Sequence, residues 1–262
     1  MQTTGVHRNV KDQFYTLPSV AKDCVDILKT HVADGIWIEP SAGNGAFLSF
    51  VPGAIAYDID PKCPGITQAD FLTVDLPDGC IVFGNPPFGR QASSAKAFIR
   101  HAASKASFIG FILPRSFMKP SMRSAFPLSF HLVHQHELPT NSFSVNENTH
   151  DVPCVFQIWK KETHLREVED KVQCTGFAFV KKADPYDFVF RRVGVNAGKC
   201  SLPADHSYQS HYFVKLDDPS LATQIIEKSL QHVFPSNTTG PRSLSKPEAI
   251  AFLHACIADT AT

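Results

Sequence analysis

The sequence predicts an α/β protein in which helices wrap a mainly parallel sheet. The composition fits such a fold, because 43% of the residues are hydrophobic and 19% are charged, which is enough apolar material to bury a core. Short apolar runs alternate with segments of helical spacing as far as Lys161. Several of these runs end in loops rich in glycine, proline and acidic residues, which is where parallel sheets bind ligands.

The elements follow in a regular order. Apolar residues recur at helical spacing in Ser19–Val32, and a short buried strand is predicted at Ile36–Ile38. A glycine-containing turn then leads into the predicted start of a helix at Ala46–Val51. A further helix is predicted at Ser93–Ala106. The remaining strands are predicted within Ala54–Asp60, Ile66–Leu72, Cys80–Phe88, Ser107–Phe117, Phe130–Glu137 and Val152–Lys161.

The character of the sequence changes after Lys161. A charged segment comes first, and aromatic, β-rich segments follow it. Two stretches of helical spacing, at Leu221–Leu230 and Lys246–Ile257, close the chain. We therefore expect a main domain over residues 1–161 and a small α+β lobe over residues 162–262. Substrate binding is one function that the lobe could have.

Charge and cysteine content exclude several classes of protein. Lys and Arg together number 25, as do Asp and Glu, so any site for nucleic acid must be a local patch or be supplied by a partner subunit. The seven cysteines are an odd number without a CxxC pair, which argues against a disulfide framework and a zinc ribbon. The sequence shows neither a secretion signal nor an apolar run long enough to span a membrane. We expect an intracellular protein, cytoplasmic or nuclear.

The first loop with chemical interest runs from Glu39 to Gly45 and reads EPSAGNG. Its two glycines allow a sharp turn and a close approach to a ligand. The loop matches neither GxGxxG nor the phosphate-binding GxxxxGK[ST] pattern, which favours a nucleoside-type or zwitterionic ligand. Glu39 is placed to meet an ammonium group. An ordinary β-to-α turn is the alternative for this loop taken alone.

Acidic residues follow the next two strands. Asp58, in AYDIDP, is placed to accept hydrogen bonds from ribose hydroxyls, and Asp60 competes for the same role. Asp70 and Phe71 follow the next strand. Their carboxylate and ring suit the amino group and the face of a purine. These residues could also simply solvate the strand ends.

The most unusual stretch is IVFGNPPFGR, Ile81 to Arg90. A turn after a strand needs no diproline flanked by an amide and an aromatic ring. The side-chain oxygen of Asn85 and the carbonyl of Pro86 can accept both hydrogens of an exocyclic amine, and proline adds no competing N–H. The ring of Phe88 can stack on a base. The pattern therefore favours a site that grips an amine.

These residues resemble the S-adenosylmethionine-dependent amino-methyltransferases, with their [DNS]PP[YFW] motif. The order of the motifs, with DQFYT at Asp12–Thr16 before EPSAGNG, DIDP, ADF and NPPF, is similar to the gamma-type adenine-N6 methyltransferases. The similarity covers about Asp12 to Lys161. It implies a Rossmann-like seven-stranded methyltransferase sheet and S-adenosyl-L-methionine as the cofactor.

The resemblance also implies roles for residues of this chain. The target base would be flipped out of its stack and held by Asn85, Pro86, Pro87 and Phe88. Phe143 would cover its other face, with Phe117 as a rival, and Arg115 would contact substrate. The cofactor would be bound by Phe14, Tyr15, Thr16, Glu39, Ala42, Gly43, Gly45, Asp58, Asp70 and Phe71.

The expected activity is transfer of a methyl group to the N6 amine of adenine in DNA or RNA, single-stranded or structured. The chemistry requires no metal, and the histidines of HLVHQH (His131–His136) are expected to be strand and loop residues. Arg90, Lys119 and Arg123, with Arg115, lie near the same predicted edge and would meet phosphates or simply be solvated. Methylation of a protein glutamine is a second possibility, and a catalytically silent binding subunit is a third.

Overall fold

The computed structural model describes residues 14–32, 34–145, 148–167, 172–235, 238 and 241–259. The chain divides into two compact units, residues 1–168 and 169–262. Asp12 and Gln13 of the DQFYT segment lie outside the described residues. Within the described ranges, no helix combines the length and the apolar character needed to cross a membrane.

The first unit is built around one large sheet. Its helices are α1 (Pro18–His31) and α2 (Ser93–Ala103). Its strands are β1 (Tyr15–Thr16), β2 (Trp37–Glu39), β3 (Ile55–Asp58), β4 (Thr67–Gln68), β5 (Ile81–Gly84), β6 (Phe108–Pro114), β7 (Phe130–Glu137), β8 (Phe143–Val145), β9 (Asn148–His150) and β10 (Cys154–Lys161).

Seven of these strands form a single sheet in the order β4-β3-β2-β5-β6-β10-β7. The neighbours from β4 to β6 are parallel, and β10 runs antiparallel to both β6 and β7. The chain order reverses direction between β2 and β5, which is the switch point where open α/β sheets bind ligands. The predicted seven-stranded Rossmann-like sheet is confirmed.

The apolar runs of the sequence reflect a sheet that is covered on both faces. Along β5, Ile81 and Phe83 pack in the core on the α1 side, whereas Val82 packs in the core on the α2 side. Alternate residues of a strand point to opposite faces, so every side chain of such a strand must be apolar. This is why β5 and β6 appear as continuous hydrophobic segments rather than alternating ones.

Two of the predicted elements differ from the structure. Ala46–Val51 contains one turn of 3₁₀ helix, Leu48–Phe50, in place of a longer helix. The strand expected in Ile66–Leu72 is only the two residues Thr67–Gln68, and a second 3₁₀ turn begins at Phe71. In both places the apolar side chains pack from a turn rather than from a regular element.

A small separate sheet, in the order β1-β8-β9, holds the first described residues in place. β1 is antiparallel to β8, with Tyr15 opposite Ser144 and Thr16 opposite Phe143. Leu17 extends the pairing, because its N–H donates to the Ser142 carbonyl at 3.0 Å. The β8–β9 hairpin thereby fixes the segment that precedes α1.

The second unit has an antiparallel sheet in the order β11-β14-β12-β13, with two helices whose apolar residues share its core. The β-rich segments and helices expected from the sequence are present as β11 (Phe177–Val180), β12 (Phe188–Arg191), β14 (His211–Leu216), α3 (Ala222–Gln231) and α4 (Lys246–Ala258). The short strand β13 (Cys200–Ser201) was not predicted.

Candidate active site

A pocket of about 260 Å³ opens at the carboxyl ends of β2, β3, β4 and β5, beside the switch point of the sheet. The loops predicted to meet at this edge do so. Its walls contain most of the residues selected from the sequence: Phe14, Tyr15, Thr16, Glu39, Ala42, Gly43, Asp58, Asp70, Phe71, Asn85, Pro86, Pro87 and Phe88.

The glycine loop is shaped by two residues of positive φ, Gly43 at 54° and Gly45 at 76°. A Cβ atom on Gly43 would lie 3.0 Å from the ring of Tyr15, so a side chain there would both strain the backbone and crowd the pocket. Gly45 does not line the pocket; its N–H closes the turn onto the Ala42 carbonyl at 2.7 Å. At Gly43 the loop therefore presents backbone, rather than a side chain, to a ligand.

Asp58, the last residue of β3, is held by the backbone. Its Oδ2 accepts from the Gly43 N–H at 2.7 Å, and its Oδ1 accepts from the Asp60 N–H at 2.7 Å. Asp60 forms an ion pair with Lys62, with 2.8 Å between the oxygen and Nζ. Both acids line the pocket. A carboxylate oxygen can accept a second hydrogen bond, so both are available to ribose hydroxyls.

Asp70 and Phe71 lie at the wall formed by the segment after β4. Oδ1 of Asp70 caps the turn that begins at Phe71, accepting from the Leu72 N–H at 3.0 Å. Phe71 is almost fully buried, with its ring centroid 5.2 Å from that of Phe98 and 4.8 Å from that of His101. This wall is thus well packed and its carboxylate is anchored.

Asn85, directly after β5, has its amide oriented by a residue far away in the sequence. Its Nδ2 donates to the carbonyl of Phe14 at 3.1 Å, and Ser41 Oγ donates to the Asn85 carbonyl at 3.0 Å. Oδ1 of Asn85 is buried and has no hydrogen-bond partner. The amide therefore keeps an unused acceptor in a residue that lines the pocket.

Two more polar atoms of the pocket wall are buried without a partner, namely Thr16 Oγ1 and Glu39 Oε2. Burial, and secondly the nearby charge of Asp58, raise the pKa of the Glu39 carboxyl well above its usual range. Buried polar groups in proteins are nearly always hydrogen-bonded, so unpartnered ones require an explanation. All three line one pocket, which is what a polar ligand bound there would explain.

Two predicted substrate contacts lie outside the pocket walls. The ring of Phe143 is fully buried in the core on the α1 side and packs edge-on against Phe14, with centroids 6.4 Å apart. It cannot stack on a base from there, so this assignment is corrected. Its rival, Phe117, is also a core residue. Arg115 forms an ion pair with Glu137 at 2.6 Å.

Other predicted residues occupy less direct positions. Lys119 is only 7% exposed, so a phosphate contact from it is not supported, whereas Arg90 and Arg123 are exposed. His134 Nε2 and His136 Nδ1 are 2.9 Å apart on β7, and burial lowers the pKa of both rings. Among the described residues, no group of three or more His, Cys, Asp or Glu side chains is arranged to hold a metal ion.

Sequence reasoning missed apolar residues that complete the pocket. Ile59 lies between Asp58 and Asp60, lines the pocket and is 65% exposed. An apolar side chain so exposed at a pocket mouth suits the face of a flat ligand ring. The sequence signal that could have identified Ile59 is its position between the two acids of DID, which were both selected as candidate ligand contacts. Phe98 of α2 also lines the pocket, but nothing in its helical spacing distinguishes it from other core residues.

Comparison with known proteins gives likenesses of fold. No protein-family model matches the sequence, and no curated protein matches it either. Among solved structures, a proposed RNA methyltransferase of Pyrococcus horikoshii aligns with a TM-score of 0.46 and 14% identity, covering 61% of this chain and 93% of that one. At a sequence identity this low, the alignment compares the folds of the two proteins and not their functions.

Two further solved structures align over a similar share of this chain. A proposed class I S-adenosylmethionine-dependent methyltransferase of Listeria monocytogenes aligns with a TM-score of 0.46 and 14% identity, over 63% of this chain and 66% of that one. A tRNA methyltransferase of M. jannaschii aligns with a TM-score of 0.41 and 17% identity, over 57% of this chain and 49% of that one.

Proposed function

We propose that this chain is an S-adenosyl-L-methionine-dependent methyltransferase that acts on the N6 amine of adenine in nucleic acid, DNA or RNA. The observation that carries the proposal is the set of buried, unpartnered oxygens of Thr16, Glu39 and Asn85 around one pocket at the switch point of the sheet. Each would gain a partner if the pocket held an amine-bearing ligand beside the glycine loop.

The residues present fit this cofactor. Glu39 would face the ammonium of its methionine part, and a cation there would favour the charged form of a carboxyl whose pKa burial now raises. Asp58 or Asp60 would accept from the ribose hydroxyls. Asp70 and Phe71 would bind the adenine ring, and Ile59 would cover one face of it. When bound, the cofactor supplies an electrophilic methyl group.

The role of the NPPF loop follows from its acceptors. Asn85 Oδ1 and the Pro86 carbonyl would each accept one hydrogen of the target amine, which keeps the nitrogen lone pair directed toward the methyl group. Phe88 would stack on the base. Formation of the new N–C bond would accompany cleavage of the methyl–sulfur bond, which leaves a neutral thioether. The methylated amine would then lose one proton to solvent, so no catalytic carboxylate is required.

The ring of Phe88 favours a nucleobase over an amide as the target. It lines the pocket beside Asn85 and is only partly buried, so a flat heterocycle can lie against it. A glutamine amide would present no comparable face. This is the reason for preferring adenine to a protein side chain.

The test has two steps. Calorimetry should detect binding of S-adenosylmethionine by the purified protein, and the absence of heat at high cofactor concentration would refute the proposal. Tritiated cofactor is then incubated with separate pools of DNA, RNA and protein. Label recovered as N6-methyladenosine or its deoxy form is the expected outcome. Label found only in protein would identify the glutamine alternative instead.

A further inference from the structure

One end of the second unit's sheet brings together segments that are distant in sequence. β14 lies between β11 and β12 and is antiparallel to both, so the last residues of β11 and β12 flank its first. β13 begins at the same end, because it is antiparallel to β12. The N-terminus of α4 is attached there as well, since the Leu244 N–H donates to the Arg192 carbonyl at 2.7 Å.

This end of the sheet is rich in cations. Six cations lie here, namely Lys181, Lys182, Arg191, Arg192, Lys199 and Lys246. Lys182 is paired with Asp205 at 2.6 Å. In the described part of the chain, no ion pair engages the other five cations. The acidic residues nearest in sequence form hydrogen bonds with other groups. Asp184 accepts from the Lys181 N–H, and Glu248 forms the capping box of α4 with Ser245. We call these six residues the basic sheet end.

Aromatic rings lie among these cations. The ring centroids of Phe179 and Tyr212 are 5.3 Å apart, and both side chains are partly exposed. The guanidinium of Arg192 lies 5.3 Å from the centre of the Tyr212 ring. The ammonium of Lys246 lies 5.1 Å from that of Phe179. Rings and charges thus form one continuous surface rather than two separate patches.

This combination matches the chemistry of one polymer. Cations without an ion pair attract phosphates, while partly exposed rings and a guanidinium plane can stack on the flat faces of bases. In a duplex those faces are covered by neighbouring pairs, so the rings would contribute nothing there. An acidic protein segment could satisfy the cations but would leave Phe179 and Tyr212 without a matching partner.

We propose that the basic sheet end binds single-stranded nucleic acid through phosphate contacts and base stacking. The inference rests on the proposed function, which it deepens by naming the strandedness of the substrate. It also explains how a chain of zero net charge can bind a polyanion, because five cations without an ion pair among the described residues lie together at one sheet end.

The test is fluorescence anisotropy with the full-length protein, without cofactor. The probes are a short fluorescein-labelled strand of mixed sequence, as RNA and as DNA, and the corresponding DNA duplex. The single strands should bind more tightly than the duplex. Their affinity should fall with salt, with a log–log slope of roughly −0.7 for each phosphate contact. Absence of binding, or tighter binding of the duplex, would overturn the inference.

Variants locate the binding on this surface. Arg192→Ala and Lys246→Ala should each weaken binding about three- to tenfold. Tyr212→Leu should weaken it about tenfold, while Tyr212→Phe keeps the ring and retains affinity. Lys228→Ala is the matched control, because it removes one charge from the same unit. Lys228 pairs with Asp259, which follows the far end of α4 from Lys246. Equal affinities for Lys246→Ala and Lys228→Ala would refute the assignment.

The two proposals can fail separately. Methyl transfer to adenine without measurable strand binding would refute only the present inference. Strand binding that depends on Arg192 and Lys246, with no methyl transfer to any pool, would refute only the proposed function. Melting temperatures identify any variant whose loss of binding reflects unfolding.

Discussion

The two walls of the pocket differ in how their polar groups are satisfied. On the wall that follows β3 and β4, Asp58 and Asp70 accept hydrogen bonds from backbone N–H groups. On the wall that follows β2 and β5, Glu39 and Asn85 each bury an oxygen that has no hydrogen-bond partner. The first wall completes its hydrogen bonding by folding, whereas the second would complete it only with a ligand.

The difference has an energetic meaning. Leaving a buried polar atom unpaired costs about 1–3 kcal/mol, which the fold must offset elsewhere. A ligand that supplies the missing partners recovers that free energy as affinity or as stabilisation of a reacting group. Substitutions on the two walls should therefore behave differently: those on the β3–β4 wall should affect stability and binding together, and those on the β2–β5 wall should separate them.

The largest effect is expected for Asn85→Ala. It removes the acceptor that would hold the target amine, so methyl transfer should fall by about 10²–10³ or more, by analogy with the loss of one oriented hydrogen bond in other active sites. The affinity for S-adenosylmethionine, measured by calorimetry, should change little. Asn85→Asp is the matched control, because it keeps an acceptor but cannot donate to the Phe14 carbonyl. Turnover of the alanine variant at the normal rate would show that Asn85 does not hold the amine.

Asp58→Ala should have the next largest effect, on cofactor binding and stability together. It removes the acceptor of the Gly43 N–H as well as a candidate ribose contact, so affinity should fall about 10- to 100-fold and the free energy of unfolding by about 1–3 kcal/mol. Asp60→Ala removes an ion pair with the exposed Lys62, and a surface ion pair contributes little, so its stability should change less than that of Asp58→Ala. If Asp60→Ala loses more affinity than Asp58→Ala, the ribose contact belongs to Asp60.

Glu39→Gln should separate stability from binding. Because burial raises the pKa of Glu39 above its ordinary value of 4.5, the folded state binds a proton more tightly than the unfolded state does. The ligand-free protein therefore loses stability as the pH rises from about 4.5 through the raised pKa. Glu39→Gln should remove this loss, making the variant more stable than the normal protein at neutral pH while weakening its cofactor binding about tenfold.

The same carboxyl predicts a proton linkage. An ammonium favours the charged form of Glu39, so cofactor binding below the raised pKa should release a proton, and affinity should decrease as the pH falls. Calorimetry in two buffers of different ionisation enthalpy measures this release. In Glu39→Gln the release should disappear. An equal release in both proteins would assign the linkage to another group.

Local sequence predicted the parts of this site but not their connections. The glycine loop and the NPPF loop could be placed at one edge of the sheet, because each directly follows a short apolar strand. The contact between Asn85 and the Phe14 carbonyl joins residues 71 positions apart, and no local pattern indicates it. Unpartnered oxygens likewise result from tertiary packing, so only the structure could separate the two walls.

Phe143 also shows that local sequence does not predict tertiary contacts. The family resemblance, and its position before a polar loop and a strand, suggested a base-stacking ring, but pairing of β8 with β1 places it in the core against Phe14. Phe14 in turn accepts from the amide of Asn85. The residue thus supports the site through a neighbour. Which short segment pairs with which depends on contacts across the whole unit, and that information is absent from a local pattern.

The smallest predicted effect concerns the link between the glycine loop and the NPPF loop. Ser41 Oγ donates to the Asn85 carbonyl at 3.0 Å, and a bond of this kind contributes about 0.5–1.5 kcal/mol. Ser41→Ala should lower kcat two- to tenfold, by roughly the equivalent of that energy, because Asn85 is held less firmly. Ser107→Ala is the control, since that hydroxyl also donates to backbone carbonyls, those of Gly79 and Cys80 just before β5, but does not line the pocket. It should lower stability similarly and leave kcat unchanged; an equal loss of kcat in both variants would show that Ser41 acts on the fold and not on Asn85.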